Sequence, residues 1–157
     1  MNSVCLAHRG CSFILIVGLL AGCSSAPSGP PLVPASGTIT LDGKPLAAAD
    51  LIFVPQGDTK GQSGVARTDA EGKYELMTAD RKHKGVAVGS FRVVINKLVK
   101  PDGSDYVPDP NAGPIDTGGF KELLPAAYSD MGQTELQANV PDGGSKTLDF
   151  KLNSKKR

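Results

Sequence analysis

The sequence predicts an all-β protein, an antiparallel β-sandwich of about seven strands, on three observations. Apolar residues after Ala35 recur with a period of two, which is the period of a strand with one buried face. These short runs are separated by Gly, Pro, Asp and Asn, which are the residues that turns require. No segment shows the 3.6-residue period of a convincing amphipathic helix. A domain of about 120 residues can bury such a core without disulfides.

Seven segments are predicted to be strands because each is a short apolar or alternating run bounded by turn residues. They are residues 38–41, 51–54, 64–68, 73–76, 88–97, 135–140 and 147–152. The run 51–54 is apolar at every position and stops at Pro55, so we expect a short buried strand or one covered on both faces. The run 88–97 is the longest and is expected to be central, with Phe91, Val93 and Ile95 on one face.

Turn residues connect the predicted strands. Asp42-Gly43 follows the first strand, and the run from Asp69 to Gly72 joins the third strand to the fourth. The last two strands alternate on either side of the turn at residues 141–144, so they are predicted to pair as a hairpin.

The amino-terminal residues predict an export signal rather than a membrane span. The run 12–21 is apolar for about ten residues, whereas a span needs roughly twenty. Arg9 precedes this run, as expected of a signal peptide over residues 1–22. The run ends in Leu20-Ala21-Gly22-Cys23, which closely resembles the lipobox of bacterial lipoproteins. The resemblance implies cleavage before Cys23 and a diacylglycerol thioether on its sulfur; the alternative is an ordinary leader with an incidental cysteine.

The lipobox resemblance also implies a place in the cell. It predicts attachment to a membrane of the cell envelope, facing the periplasm or the cell surface. Ser24 rather than an aspartate follows Cys23, and this resemblance therefore favours the outer membrane. Cys5 and Cys11 would leave with the leader, so an acylated Cys23 leaves no thiol for an internal disulfide.

The sequence predicts an anchor, a spacer and a single folded domain. Residues 24–35 contain four prolines and no charged side chain, which predicts an extended spacer that cannot form a packed element. The predicted divisions are the signal peptide 1–22, the anchor and linker 23–35, the domain 36–153 and a basic tail 154–157. Without Arg9 the chain has 16 basic and 16 acidic side chains, so no basic excess suggests a nucleic-acid partner.

Four motifs together resemble the carboxypeptidase regulatory-like, or transthyretin-like, domain. They are GTI at 37–39, DGKPL at 42–46, TDAEGKY at 68–74 and GSFRV at 89–93. Residues 123–130 and 141–144 resemble the small lipoproteins of this class in planctomycete-type bacteria. The resemblance implies an Ig-like or prealbumin-like β-sandwich without peptidase activity. Ala48, Val88 and Phe91 stand where the family often has Gly, Pro and Tyr, which puts the local turn geometry in question.

Four residues of these motifs have a physical interpretation. Gly43 and Gly72 are expected to supply a positive φ or a close approach in turns. Tyr74 and Phe91 are expected to fill the space between the sheets.

Catalytic patterns are missing from the sequence that follows Cys23. Its single histidine, His83, lies among basic residues and is expected to be solvated. No zinc-ligand spacing, hydrolytic triad or phosphate-binding glycine loop occurs, so the sequence predicts a protein that is not an enzyme and needs no cofactor.

Residues 99–124 form a long connection that is predicted to be either functional or disordered. Two of its aromatic residues, Tyr106 and Phe120, could stack on a sugar or a partner, or pack onto the sheet. Its carboxylates could bind calcium, although turns need the same residues; they are Asp102, Asp105, Asp109 and Asp116. The candidate partners are therefore the membrane, a glycan, or an envelope protein docked on an open sheet edge.

Overall fold

The computed structural model describes residues 29–106 and 119–155, and nearly all of its regular structure is β. The elements in chain order are β1 (Leu32–Val33), β2 (Ser36–Leu41), β3 (Lys44–Pro45), β4 (Asp50–Pro55), β5 (Gly64–Arg67), β6 (Lys73–Glu75), β7 (Met77–Thr78), β8 (Val86–Ala87), β9 (Gly89–Asn96), β10 (Leu98–Val99), β11 (Lys121–Glu122), α1 (Ala126–Ser129), β12 (Gln137–Val140) and β13 (Phe150–Leu152). All seven predicted strands are present, and the six additional ones each have two residues.

Two sheets build the sandwich. The larger sheet has the order β12-β9-β4-β5-β7, so β9 is an interior strand, as predicted. The smaller sheet has β2 at its centre, paired with β13, β3 and β6. Two short ladders, β1 with β8 and β10 with β11, lie outside these sheets. The described residues therefore form the predicted all-β sandwich, in which the paired strands are antiparallel except for β13 with β2.

Aromatic side chains from both sheets meet in the core. Phe53 of the larger sheet is fully buried, and its ring centroid lies 6.3 Å from that of Tyr74 and 6.1 Å from that of Phe150, both in the smaller sheet. Phe91, on the neighbouring strand β9, lies 6.0 Å from Phe53. Tyr74 and Phe91 thus fill the space between the sheets, as the sequence predicted, because tilted aromatic pairs bury large areas in favourable geometry.

The predicted hairpin between the last two strands is wrong. β12 pairs with the first half of β9 in the larger sheet, whereas β13 pairs in parallel with β2 in the smaller sheet. The turn at residues 141–144 therefore carries the chain from one sheet to the other. Alternation shows only which residues of a strand are buried; it does not show which strand lies beside them.

Strand β4 also differs from its prediction. Its residues alternate between buried and accessible positions, and the Ile52 side chain is 38% exposed on the outer face of the larger sheet. Ile52 therefore makes the sequence of β4 continuously apolar, although only one face of the strand is buried.

The predicted linker is wrong at its carboxyl-terminal end. Leu32 and Val33 form β1, which pairs with Ala87 and Val86 of β8. Ala35 is fully buried in the core, and its carbonyl accepts a hydrogen bond from the Leu76 N–H at 2.8 Å. The folded domain therefore begins about four residues before Ser36. Proline prevents regular pairing at its own position, but it leaves neighbouring residues free to form a short strand.

Candidate functional site

The predicted lipidation residues lie outside the described part of the chain. This holds for Cys23 and for the lipobox residues Leu20, Ala21 and Gly22. Among the described residues, no helix is long and apolar enough to cross a membrane.

The two aromatic residues of the long connection contact each other. The ring centroids of Tyr106 and Phe120 are 4.5 Å apart with the planes inclined by 56°, and both residues are half-buried. Each ring is therefore packed partly against the other. This contact brings together the two ends of the long connection. Residues 107–118 between them lie outside the described residues.

Charged side chains fasten the start of the same connection to the larger sheet. Arg67 on β5 forms an ion pair with Asp50 on β4, at 2.8 Å, and donates a hydrogen bond to the carbonyl of Tyr106. The Lys97 side chain is buried, and its ammonium group donates to Asp105 at 2.5 Å and to the carbonyl of Ala47 at 2.6 Å. A buried ammonium requires such partners because its desolvation is costly.

Glu122 holds the return of this connection. Its carboxylate accepts hydrogen bonds from the backbone N–H groups of Lys97 and Leu124, each at 2.9 Å, and from the amide of Asn96 at 3.1 Å. One acidic side chain therefore joins β11 to the end of β9.

The structure gives other partners to two of the four proposed calcium ligands. Asp102 accepts the N–H of Ser104, and hydrogen bonds from Ser104 lower the pKa of its carboxyl group. Asp105 is paired with Lys97. Asp109 and Asp116 lie outside the described residues. The described part of the chain contains no group of three or more His, Cys, Asp or Glu side chains placed to hold a metal ion.

An open groove of about 680 Å³ lies where β5 and β7 of the larger sheet come close to β2 and β6 of the smaller one. Apolar side chains of Val65, Ala66 and Met77 form part of its lining, together with the hydroxyl side chains of Ser36 and Thr38. No motif or periodicity of the sequence predicts this groove.

Four cations and two anions line this groove. The cations are Arg67, Lys73, Arg81 and Lys146, and the anions are Asp69 and Glu75. Both anions already have partners: Asp69 accepts the N–H groups of Glu71 and Lys73, and Glu75 pairs with Lys84 at 2.8 Å. The lining therefore holds two more cations than anions, and no ion pair joins Lys73, Arg81 or Lys146 to another described side chain.

One wall of the groove contains a phenol held in its neutral form. The Tyr74 hydroxyl donates to the carbonyl of Leu148 at 2.5 Å. Burial raises the pKa of Tyr74 well above its ordinary value, and the nearby Asp149 carboxylate raises it further. Tyr74 therefore contributes a fixed hydrogen bond rather than a charge at neutral pH.

His83 lies in the turn between β7 and β8 and is exposed. Its backbone N–H donates to the Thr78 hydroxyl, and its carbonyl accepts the Thr78 N–H. The backbone of His83 thus closes a turn, and its imidazole is accessible to solvent, as the sequence predicted.

Comparison of this chain with family models, curated proteins and solved structures finds no match.

Proposed function

We propose that this chain is a lipid-anchored lipoprotein of the cell envelope, whose β-sandwich is a non-catalytic structural or binding module of the carboxypeptidase regulatory-like class. The observation that carries this proposal is the sequence Leu20-Ala21-Gly22-Cys23, followed within nine residues by the folded strand β1. A thioether-linked diacylglycerol with a further acyl chain would hold such a domain permanently at a bilayer.

The start of the domain limits how far it can stand from the membrane. Eight residues separate Cys23 from Leu32, and an extended chain reaches about 3.1–3.6 Å per residue. The anchor sulfur is therefore within about 30 Å of β1. A spacer of this length would hold the domain within that distance of the lipid headgroups.

The proposal of a non-catalytic module rests on how the polar side chains are used. Most described carboxylates and hydroxyls that form hydrogen bonds cap turns, join strands or hold the long connection in place, as Glu122 does. Motif residues that carry the family resemblance have packing roles, as shown by the buried rings of Tyr74 and Phe91. The resemblance and the packing together support a scaffold that presents a surface.

Metabolic labelling with an alkyne fatty acid tests the anchor. We expect the wild-type protein to be labelled and the Cys23→Ser variant to lose the label, because a serine hydroxyl is a much weaker nucleophile than a thiolate. The label should remain with the membrane fraction, and the variant should leave it.

Two further cysteines give matched controls. Cys5→Ser and Cys11→Ser make the same chemical change, each at one cysteine of the predicted leader. Both variants should be labelled as strongly as the wild type. Equal labelling of the Cys23→Ser variant would show that the anchor proposal is wrong.

A further inference from the structure

We propose that the cationic groove formed by β2, β5, β6 and β7 binds an anionic polysaccharide whose sugars carry carboxylate or sulfate groups. This proposal specifies a ligand class for the domain and does not depend on the anchor, because all groove residues lie between Ser36 and Lys146.

The first observation is the charge of the groove. Lys73 on β6, Arg81 in the turn after β7 and Lys146 before β13 come from three separate segments and line the same groove. The chain as a whole is nearly neutral, so this concentration of cations is local. Clustered cations with no anion partner attract a ligand that carries several negative charges.

The second observation is the backbone of Arg81, which has φ +56°. This left-handed conformation is unfavourable for residues with a side chain, and glycine would relieve it. The turn is held by the carboxylate of Asp80, which accepts hydrogen bonds from the Thr78 hydroxyl at 2.5 Å and from the Lys82 N–H at 3.1 Å. Because strained backbone is found more often at binding sites than elsewhere, the left-handed conformation of Arg81 in the groove lining supports a role for its guanidinium in binding.

The third observation concerns the backbone around the groove. β2 is paired on both sides, and so are β5 and, at Met77, β7. An incoming peptide would therefore find no open strand edge at these three strands for ladder hydrogen bonds. The fourth strand, β6, is paired only with β2, but its outer edge is three residues long, and both backbone groups of Lys73 already bond to Asp69. Recognition therefore depends mainly on side chains, namely the cations together with the hydroxyls of Ser36 and Thr38. Carboxylates or sulfates and ring hydroxyls on a sugar chain match this set of donors and acceptors.

The ligand class can be tested by calorimetric titration of the purified full chain. The probes are an oligogalacturonate, a heparin oligosaccharide, neutral dextran and poly-L-glutamate. We expect one or both anionic saccharides to bind with an affinity that falls as salt increases, and dextran to show no binding. The two anionic saccharides distinguish carboxylate from sulfate as the recognised group.

Substitutions at two neighbouring positions test the site. Arg81→Gly should weaken saccharide binding about five- to tenfold while raising the melting temperature, because it removes a charge and relieves the backbone. Lys82→Gln removes one charge from the same turn, but Lys82 does not line the groove, so binding should be unchanged. Combining Lys73→Gln with Lys146→Gln should weaken binding further.

The outcomes separate the alternatives. If Arg81→Gly and Lys82→Gln reduce binding equally, the attraction is a general effect of charge and the proposed site is wrong. Binding of poly-L-glutamate alone would identify an acidic peptide and overturn the ligand class. If no polyanion binds at low salt, the groove proposal is wrong, whereas the result for Cys23 labelling would stand unaffected.

Discussion

At the scale of single residues, the backbone at Ala48 carries a conformation that suits glycine. Ala48 has φ +52°, and its N–H donates to the carbonyl of Thr68 at 3.1 Å, which fixes the turn that precedes β4. The domains that the sequence resembles often have glycine at this position. Ala48 therefore adopts a left-handed conformation at a cost in free energy.

Replacing Ala48 by glycine should therefore stabilise the domain. Relief of the left-handed conformation is worth roughly 1–2 kcal/mol, and the greater freedom of glycine in the unfolded chain offsets part of it, so we expect a gain of about 0.5–1 kcal/mol. Chemical denaturation measures the free energy of unfolding. Ala47→Gly is the control, because Ala47 has no positive φ and its substitution should be destabilising. A loss of stability in both variants would contradict this interpretation.

Glycine at position 72 is required for two reasons. Gly72 has φ +72°, and a Cβ built there would lie 2.5 Å from the carbonyl oxygen of Ile39. The sequence could predict this role because Asp69 to Gly72 is a turn signal between two alternating strands. Gly43 has φ +81°, so its predicted positive φ is confirmed as well.

At the scale of elements, Glu122 links β11 to the end of β9. Glu122→Ala should lower the free energy of unfolding by about 2 kcal/mol, because it removes charged acceptors from two backbone N–H groups. Amide hydrogen exchange at Lys97 and Leu124 should become faster in the variant. Lys121→Ala is the matched control, since this neighbour on β11 is exposed and should change stability by less than about 0.5 kcal/mol. Unchanged exchange at both amides would show that Glu122 is not the link.

Element identity could be predicted from the sequence much better than element pairing. The alternation around Tyr74 and Phe91 correctly predicted two strands and the buried side of each. The partners of β12 and β13 depend on contacts between distant segments, which local periodicity does not record. The groove was missed for the same reason: Ser36, Arg67, Arg81 and Lys146 lie far apart in sequence and meet only through this pairing.

At the scale of the whole molecule, the folded domain includes residues that the proline-rich composition predicts to be a spacer. Pro34 and Ala35 belong to a proline-rich, uncharged segment, yet the Pro34 carbonyl accepts the Ser145 N–H at 2.9 Å and Ala35 is buried. Proline content predicts the absence of a helix or a long strand, but it does not predict whether a short segment packs against an existing sheet.

A chain that begins at Ser36 should therefore be less stable than one that begins at Gly29. The shorter chain loses the pairing of β1 with β8, the burial of Ala35 and the acceptor of the Leu76 N–H. Several hydrogen bonds at about 1 kcal/mol each, with the lost apolar burial, give an expected loss of about 3–5 kcal/mol. Because domains have only about 5–15 kcal/mol of stability, urea denaturation should detect this loss readily. Equal denaturation midpoints for the two chains would show that β1 contributes nothing to the stability of the domain. A large difference would instead show that β1 is part of the folded core, so that a force applied to the amino-terminal segment acts directly on β8.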